Sequence, residues 1–318
     1  MTVTESRSVK SCRGRGALAI HGPTAELSVL HVTPRHTQPN RLSYYVRVRG
    51  PSPPDRGPVP LSVRAVSVRF GGLSALDDVS FDVPARSVVG IIGPNGAGKT
   101  TMFNVICGFV RPSAGSITWD GTPLRGHPDR LAAAGISRTL QAVGLFPHLS
   151  ALENVMVGGT VMRRAGFLSA LFALPRSDRD ESRLRSAAMD CLIRLGIADV
   201  ADRPAATLPF PLQKRVALAR ALISRPRLLL LDEPAGGLGS DDMDSLAELI
   251  RSLPAAEDAP CSVLLVEHHM DLVMSVCDQV IVLDFGRRVA AGTPDEIRID
   301  PVVSTAYLGV DVPAASGE

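Results

Sequence analysis

Lysine is nearly missing from this chain. Its 318 residues hold three, Lys10, Lys99 and Lys214, beside 31 arginines, so each lysine marks a position to follow. An excess of positive charge is missing too. The formal net charge is +2, and residues 1–60 alone carry +6, which leaves about −4 for the remainder; a body of that charge is not a nucleic-acid binder. Cysteine is sparse and unpatterned. Cys12, Cys107, Cys191, Cys261 and Cys277 form no C-x-x-C and are odd in number, which argues against a disulfide framework or a zinc site and for buried free thiols in a reducing compartment. No apolar run approaches the roughly 18 to 20 residues of a membrane span, and the "ALAI" near the N-terminus is too short for a signal peptide. The expected location is the cytosol.

What is present begins late. Residues 1–60 are rich in Arg, Ser and Pro and close on "GPSPPDRGPVP", a composition that reads as a disordered basic tail: a tether to anionic lipid or a partner, a solvated segment, or a leader ahead of the true start. From residue 61 the texture changes. "LSVRAVSVRF" alternates apolar and polar residues like a half-buried strand, and "GGLSALDDVSFDV" reads as a turn and a second strand. "SVVGIIG", "RLLLLDEP", "CSVLLVEHH" and "QVIVLDFG" are short apolar runs separated by helical stretches, the pattern of a parallel sheet covered on both faces. Residues 151–206 read as mostly helical. The expected fold is α/β, and residues 311–318 are expected to be a flexible C-terminus.

"GPNGAGKTT", residues 93–101, satisfies G-x-x-x-x-G-K-[ST] between an apolar strand and a helix, the context this phosphate-binding motif requires. Gly93, Pro94, Asn95, Gly96, Ala97, Gly98, Lys99, Thr100 and Thr101 form the candidate nucleotide-binding loop. Glycines let successive N–H groups curl around a phosphate, and the helix N-terminus adds partial positive charge. Lys99 is expected on the β- and γ-phosphates of ATP and the Thr100 hydroxyl on Mg²⁺. "LLLLDEP" brings Asp232 to the C-terminal end of a buried strand, where α/β sheets bind ligands; a carboxylate there suits the Mg²⁺ shell, and Glu233 beside it can reach a water.

In this order and spacing the motifs resemble those of the ATP-binding subunits of ABC transporters, from about residue 61 to 310. The resemblance implies a P-loop (RecA-like) core with an antiparallel β subdomain and an α-helical subdomain inserted at about residues 142–208. It also implies roles for residues that spacing alone does not assign. Phe70, 23 residues before Gly93, matches the aromatic that stacks on adenine. Gln141 in "GISRTLQ" matches the glutamine that touches Mg²⁺ and the attacking water and senses the membrane subunit. His268 in "LLVEHHM" matches the switch histidine that contacts the γ-phosphate; His269 is assigned no role. "FGGLSALDDVSF", "LFPHLSALENV" and "VAAGTPDEIRIDP" are similar to importers of branched-chain amino acids and their relatives for amides and urea. The partners this implies are transmembrane permease subunits, a second ABC ATPase subunit and, indirectly, a substrate-binding protein. The site is then peripheral on the inner face of the membrane. A soluble ABC ATPase without a permease is the alternative from another class.

One segment departs from the family. Where the common signature is L-S-G-G-Q, this chain has Leu208, Pro209, Phe210, Pro211 and Leu212, followed by Gln213. In the family this segment caps the ATP held by the opposite subunit with a serine hydroxyl, glycine amides and a helix N-terminus. Pro209 has no hydroxyl and Pro211 has no N–H. The helix after Pro211 still offers its dipole, so the expectation is a thinner anion site and, as a variant of the reading, a subunit of low turnover. Gly239 stands where the family often has Asp or Asn.

Overall fold

The computed structural model describes residues 60–124, 128–139, 143–159 and 175–303. The tail up to residue 59, the glutamine at 141 and everything beyond residue 303 lie outside the described residues. The described chain starts with a hairpin, β1 (Leu61–Phe70) turning at Gly71 and Gly72 into β2 (Leu73–Val83). After β3 (Val88–Ile92), which belongs to a second sheet, β4 (Ala114–Trp119) and β5 (Thr122–Pro123) complete an antiparallel sheet in the order β2-β1-β4-β5. The alternation in "LSVRAVSVRF" slips midway: Leu61 and Val63 are buried, then Val66 and Val68. The register against β2 shifts between Val63 and Val66, with Ala65 at φ 50°. This extra residue is a bulge that returns the apolar side chains to one face.

The second sheet has the order β10-β9-β3-β8-β7-β6. Strands β3, β6 (Ile136–Arg138), β7 (Leu228–Asp232), β8 (Ser262–Val266) and β9 (Gln279–Asp284) run parallel, and β10 (Arg287–Gly292) closes one edge antiparallel to β9. Every residue of β3, β7 and β8 is buried. On one face Val89, Ile91, Leu228, Leu230 and Leu264 share a core with the antiparallel sheet and with Met102, Phe103 and Ile106 of α1 (Lys99–Ile106). On the other, Val88, Ile92, Leu229, Leu231 and Val263 pack toward helices. Each such fully buried Leu or Val contributes about 1.5–3 kcal/mol relative to exposure, so strands this apolar are stable only with both faces covered.

A short α2 (Pro128–Leu131) precedes β6. Between β6 and β7 lie α3 (Ala151–Gly158), α4 (Pro175–Arg194) and α5 (Phe210–Leu222). Beyond β7 come α6 (Ser240–Ala255), α7 (Met270–Val276) and α8 (Pro294–Arg298). The "SALE" of α3 is a complete capping box, with Ser150 and Glu153 exchanging hydrogen bonds, as the S-x-x-E spacing dictates. Asn154 in the same helix is wholly buried; its Nδ2 donates to the carbonyls of Phe146, Leu149 and Ser150, and its Oδ1 accepts from the N–H of Phe146. One amide thereby fixes the turn that precedes α3. Among the described residues no helix is long and apolar enough to cross a membrane.

The registers place the site. Ile91 pairs with Val266, and Val266 with Asp232. The loops that follow β3, β7 and β8 therefore leave the sheet at the same end, its carboxyl end, where parallel sheets hold their ligands.

Candidate functional site

The loop after β3 is built for a close approach of backbone. Gly98 has φ 101°, and a Cβ there would sit 2.7 Å from the Ala75 carbonyl oxygen and 2.8 Å from Leu76 Cδ2, so glycine alone fits. Gly98 is the N-cap of α1 and supplies no side-chain cap; the first helical bond runs from Met102 N–H to its carbonyl. The N–H groups of Lys99, Thr100 and Thr101 are left at the positive end of the helix, an arrangement that receives an anion. Asn95 and Gly96 are exposed at the tip, and Ala97 is buried beneath it with its N–H on the Pro94 carbonyl at 3.2 Å.

Lys99 curls back over this loop. Its ammonium donates to the carbonyls of Gly93 (2.6 Å) and Pro94 (3.0 Å), and the side chain is 7% exposed. Burial lowers its pKa, while the charges of Glu233 and then Asp232 act in the opposite sense. The loop lysine and both carboxylates thus stand within electrostatic reach of one another at the strand ends. The Thr100 hydroxyl belongs to an exposed residue of the first helical turn. Phe70 closes β1, half-exposed at 51%, in the hairpin whose β2 touches Gly98 through Ala75 and Leu76.

Asp232 is 3% exposed, and its Oδ2 accepts from Arg138 Nη2 at 2.7 Å. Arg138 lies at the end of β6. Its Nη1 donates to Asn104 Oδ1 at 3.0 Å, and its guanidinium lies over the rings of Phe103 and Phe109 at 5.7 and 6.0 Å. Buried Arg138 Nε has no hydrogen-bond partner among the described residues. Sequence reading passed over this arginine although it stands three places before Gln141 in "GISRTLQ"; the only signal was a charge closing a three-residue strand. Gln141 itself lies outside the described residues, between Thr139 and Val143.

Glu233 follows Asp232 with φ 48°, a left-handed conformation that costs a non-glycine residue about 1–3 kcal/mol. His268, on the loop after β8, has its ring half in solvent, 4.2 Å centroid to centroid from His269. Beneath both lies Glu267, wholly buried, which sequence reading also missed. Its Oε1 accepts from the Ala235 N–H at 2.7 Å; its Oε2 faces the N–H groups of His268 and His269 and His269 Nδ1. Glu267, His268 and His269 bring three potential metal ligands within 4.8 Å of one another, but the carboxylate is already committed to those donors. His269, assigned no role from sequence, shares this carboxylate. Burial pushes the Glu267 carboxyl up, and the donors from Ala235, His269 and His268 outweigh it and hold the pKa below the ordinary value. A depressed carboxyl stabilises the fold above its unfolded pKa and loses that contribution as pH falls through the folded one. The expected result is that the melting-temperature gap between the natural chain and Glu267→Gln narrows as pH drops from about 7 to 4, through the ordinary glutamate range; a gap constant over that range would contradict it.

The proline-rich segment holds one surprise in register. Pro209, at φ −56° and ψ 149°, is itself the N-cap, and α5 begins at Phe210, so Pro211 sits at the second helical position and not the first. Nothing is lost by this, because the N–H there is unpaired in any helix. No side chain caps the helix. Leu208 is buried. Gln213 does not point outward: its Nε2 donates to the Leu208 carbonyl at 2.8 Å. Phe210 is 44% exposed, and its ring is laid against Gly237, where a Cβ would come within 2.9 Å of Phe210 Cε1 at a φ of +74°. Lys214, one turn on, donates to the carbonyls of Glu233 (3.2 Å) and Pro234 (2.7 Å). Gly239 is the exposed N-cap of α6 and brings no side-chain oxygen to that end.

The arrangement can hold a polyphosphate on the loop of residues 93–98 and α1, with hard oxygen donors from Thr100 and Asp232 that suit Mg²⁺. Known proteins agree with that chemistry. A family model described as ABC transporter matches residues 76–236. The high-affinity branched-chain amino acid transport ATP-binding protein BraF of Pseudomonas aeruginosa is 42% identical over 250 residues, 78% of this chain and 97% of that one. The crystal structure of an ABC transporter's ATP-binding cassette in its ADP conformation superposes with a TM-score of 0.68 at 28% identity, over 79% of this chain and 99% of that one. A dimeric cassette in a post-hydrolysis state with ADP and Pi superposes with a TM-score of 0.62 at 25% identity, over 74% and 98%.

Proposed function

The chain belongs to the ABC transporter family of ATP-binding cassettes and is an ATPase, and from that premise we propose that it energises an importer of branched-chain amino acids or of related amides and urea. The observation that carries the catalytic part is that the strand registers bring the Lys99 loop and the Asp232–Glu233 pair to the same end of the sheet, within electrostatic reach of one another. The solute class rests on the similarity to BraF along 97% of its length.

In this reading the N–H groups of residues 93–101 and the Lys99 ammonium bind the phosphates of ATP. Phe70 stacks on adenine. Thr100 and Asp232, together with Gln141, would hold Mg²⁺, which would supply positive charge to offset that of the phosphates. Arg138 orients the Asp232 carboxylate. Glu233 accepts a proton from the attacking water or aligns it, and His268 faces the γ-phosphate. Residues 208–213 of one subunit cap the ATP of its partner. Closing and opening of that dimer works the permease from the inner face of the membrane, and the turn organised by Asn154 belongs to the stretch that meets it.

The test is reconstitution with neighbouring permease and binding-protein genes in vesicles loaded with ATP. Uptake of leucine or valine supports the reading, uptake of urea or amides alone moves the solute class, and hydrolysis by a chain that associates with no membrane subunit returns the soluble alternative. The uncapped start of α5 carries a second expectation. In a heterodimer whose partner has L-S-G-G-Q, the partner's ATP faces Pro209 and Pro211 and turns over slowly. Combining Pro209→Ser, Phe210→Gly, Pro211→Gly and Leu212→Gln should speed that site about 10-fold, the value of one regained charge-assisted hydrogen bond. Single-turnover rates with each subunit's glutamate disabled in turn are the measurement; equal rates beforehand and no gain afterwards would show that the prolines cap as well as the common signature.

A further inference from the structure

Glu233 is held in a conformation that its own Cβ disfavours. Such a residue persists only where its surroundings over-determine it, and here they can be named. Its N–H donates to the Val266 carbonyl at 2.9 Å, extending the ladder between β7 and β8 by one residue. Its carbonyl accepts from the Gly236 N–H at 3.2 Å and from Lys214 Nζ at 3.2 Å. The Pro234 carbonyl accepts from the same ammonium at 2.7 Å, and Pro234 has no N–H to satisfy. The Ala235 N–H donates to Glu267 Oε1 at 2.7 Å, and the Ala235 carbonyl accepts from the Leu238 N–H at 3.0 Å. Two of these restraints come from charged side chains that the hydrolysis described above does not use. One arrives from α5, the other from the end of β8.

We propose that Lys214 and Glu267 are positioning residues that clamp the turn after β7, one through its carbonyls and the other through its N–H, and so hold Glu233 in the left-handed conformation from which it acts. The proposal rests on the reading of Glu233 as the group that works on the water. A lysine on a helix surface ordinarily extends into water; this one is only partly exposed and spends two N–H bonds on main-chain carbonyls. A wholly buried carboxylate persists when its lone pairs are all matched by donors, and those of Glu267 face N–H groups on both oxygens. An amide cannot replace it. Whichever way a glutamine turns, its NH₂ meets an N–H, either that of Ala235 or those of His268 and His269. The two clamps are also neighbours electrically, since the charges of Glu267 and Glu233 both act to keep Lys214 protonated against its burial. Because Lys214 stands on the helix whose first residue, Phe210, leans on Gly237, displacement of α5 reaches the main chain of Glu233 directly.

The experiment uses the full-length chain, with equilibrium binding of a fluorescent ATP analogue and single-turnover hydrolysis. Lys214→Met and Glu267→Gln should each slow hydrolysis by about 10- to 100-fold, the scale of a sub-ångström to 1 Å misplacement of a reacting group, with ATP affinity changed less than about 2-fold. Lys214→Arg, which keeps donors for both carbonyls, should recover the rate to within about 3-fold. In a Glu233→Gln background Lys214→Met should not slow the residual reaction further, because its hydrogen bonds go only to the carbonyls of residues 233 and 234. Should Lys214→Met fail to fold, Lys214→Gln with one N–H pair retained takes its place, and amide hydrogen exchange of residues 233–238 reports loss of the clamp independently. Full rates in Lys214→Met and Glu267→Gln, or slowing by Lys214→Met that persists undiminished without the carboxylate at 233, would overturn the proposal while leaving Glu233 as the base. Full hydrolysis by Glu233→Gln alone would instead remove the reading on which the clamp rests, and the clamp's catalytic meaning with it.

Discussion

Lys99→Ala abolishes ATP hydrolysis and weakens ATP binding by more than about 100-fold. The magnitude follows from the site. The Lys99 ammonium is the positive side chain held against the loop, bonded to the carbonyls of Gly93 and Pro94 and balanced against Glu233 and Asp232. Removing it takes away the cation that offsets two carbonyl dipoles and the charge of Glu233 beside the incoming phosphates, while Asp232 keeps its pairing with Arg138. Each charge-assisted hydrogen bond lost costs about 1.5–3 kcal/mol, and two of them exceed the roughly 2.7 kcal/mol that corresponds to 100-fold. Equilibrium binding of labelled ATP, with turnover measured on the same preparation, checks it. Near-normal turnover by the variant would move the phosphate site away from residues 93–101.

Glu233→Gln has the opposite profile: hydrolysis falls by about 100- to 10,000-fold, the range for a lost general base, while ATP affinity stays or rises. The side chain keeps its shape. The main-chain carbonyl of residue 233 keeps its bonds to Gly236 and Lys214, so the left-handed turn survives. A negative charge beside Lys99 disappears, which favours the phosphates. ATP then holds the cassettes closed, and gel filtration with ATP and Mg²⁺ should show a dimer that the natural chain forms only in passing. Loss of ATP binding in this variant would make residue 233 a structural or metal-holding position.

The parts of this architecture written in local sequence are those whose physics is local. A run such as "LLLLD" has no polar face to show to water, so it reads as a strand buried on both sides, and it is one. "GPNGAGKTT" names its own backbone, because glycine tolerates the φ values near 100° that the loop adopts at Gly98. "SALE" names its own cap. The edge strand β10, "RRVAAG", escaped because small and charged residues at a sheet margin carry no apolar signature. The bulge in β1 escaped because its reason lies in the partner strand.

Arg138, Lys214 and Glu267 mark the boundary. Each is a charged residue whose partner stands far away along the chain: Asp232 for Arg138, the carbonyls of residues 233 and 234 for Lys214, the Ala235 N–H for Glu267. The scarcity of lysine made Lys214 conspicuous, but not its task, since no spacing rule links a helix to a main-chain carbonyl on a neighbouring strand end. The prolines told that the start of α5 lacks a hydroxyl and one N–H; only the fold showed that the helix begins one residue before Pro211 and that Phe210 lies on Gly237 of the same chain. By itself the sequence determined the buried strands, the glycine-rich loop after β3 and the carboxylates at a strand end, because propensity, burial pattern and glycine geometry act within a few residues. The tertiary structure decided which charges hold Asp232 and Glu233 in place, because a buried ion or a strained turn is stable only when groups from elsewhere in the chain complete its hydrogen bonds.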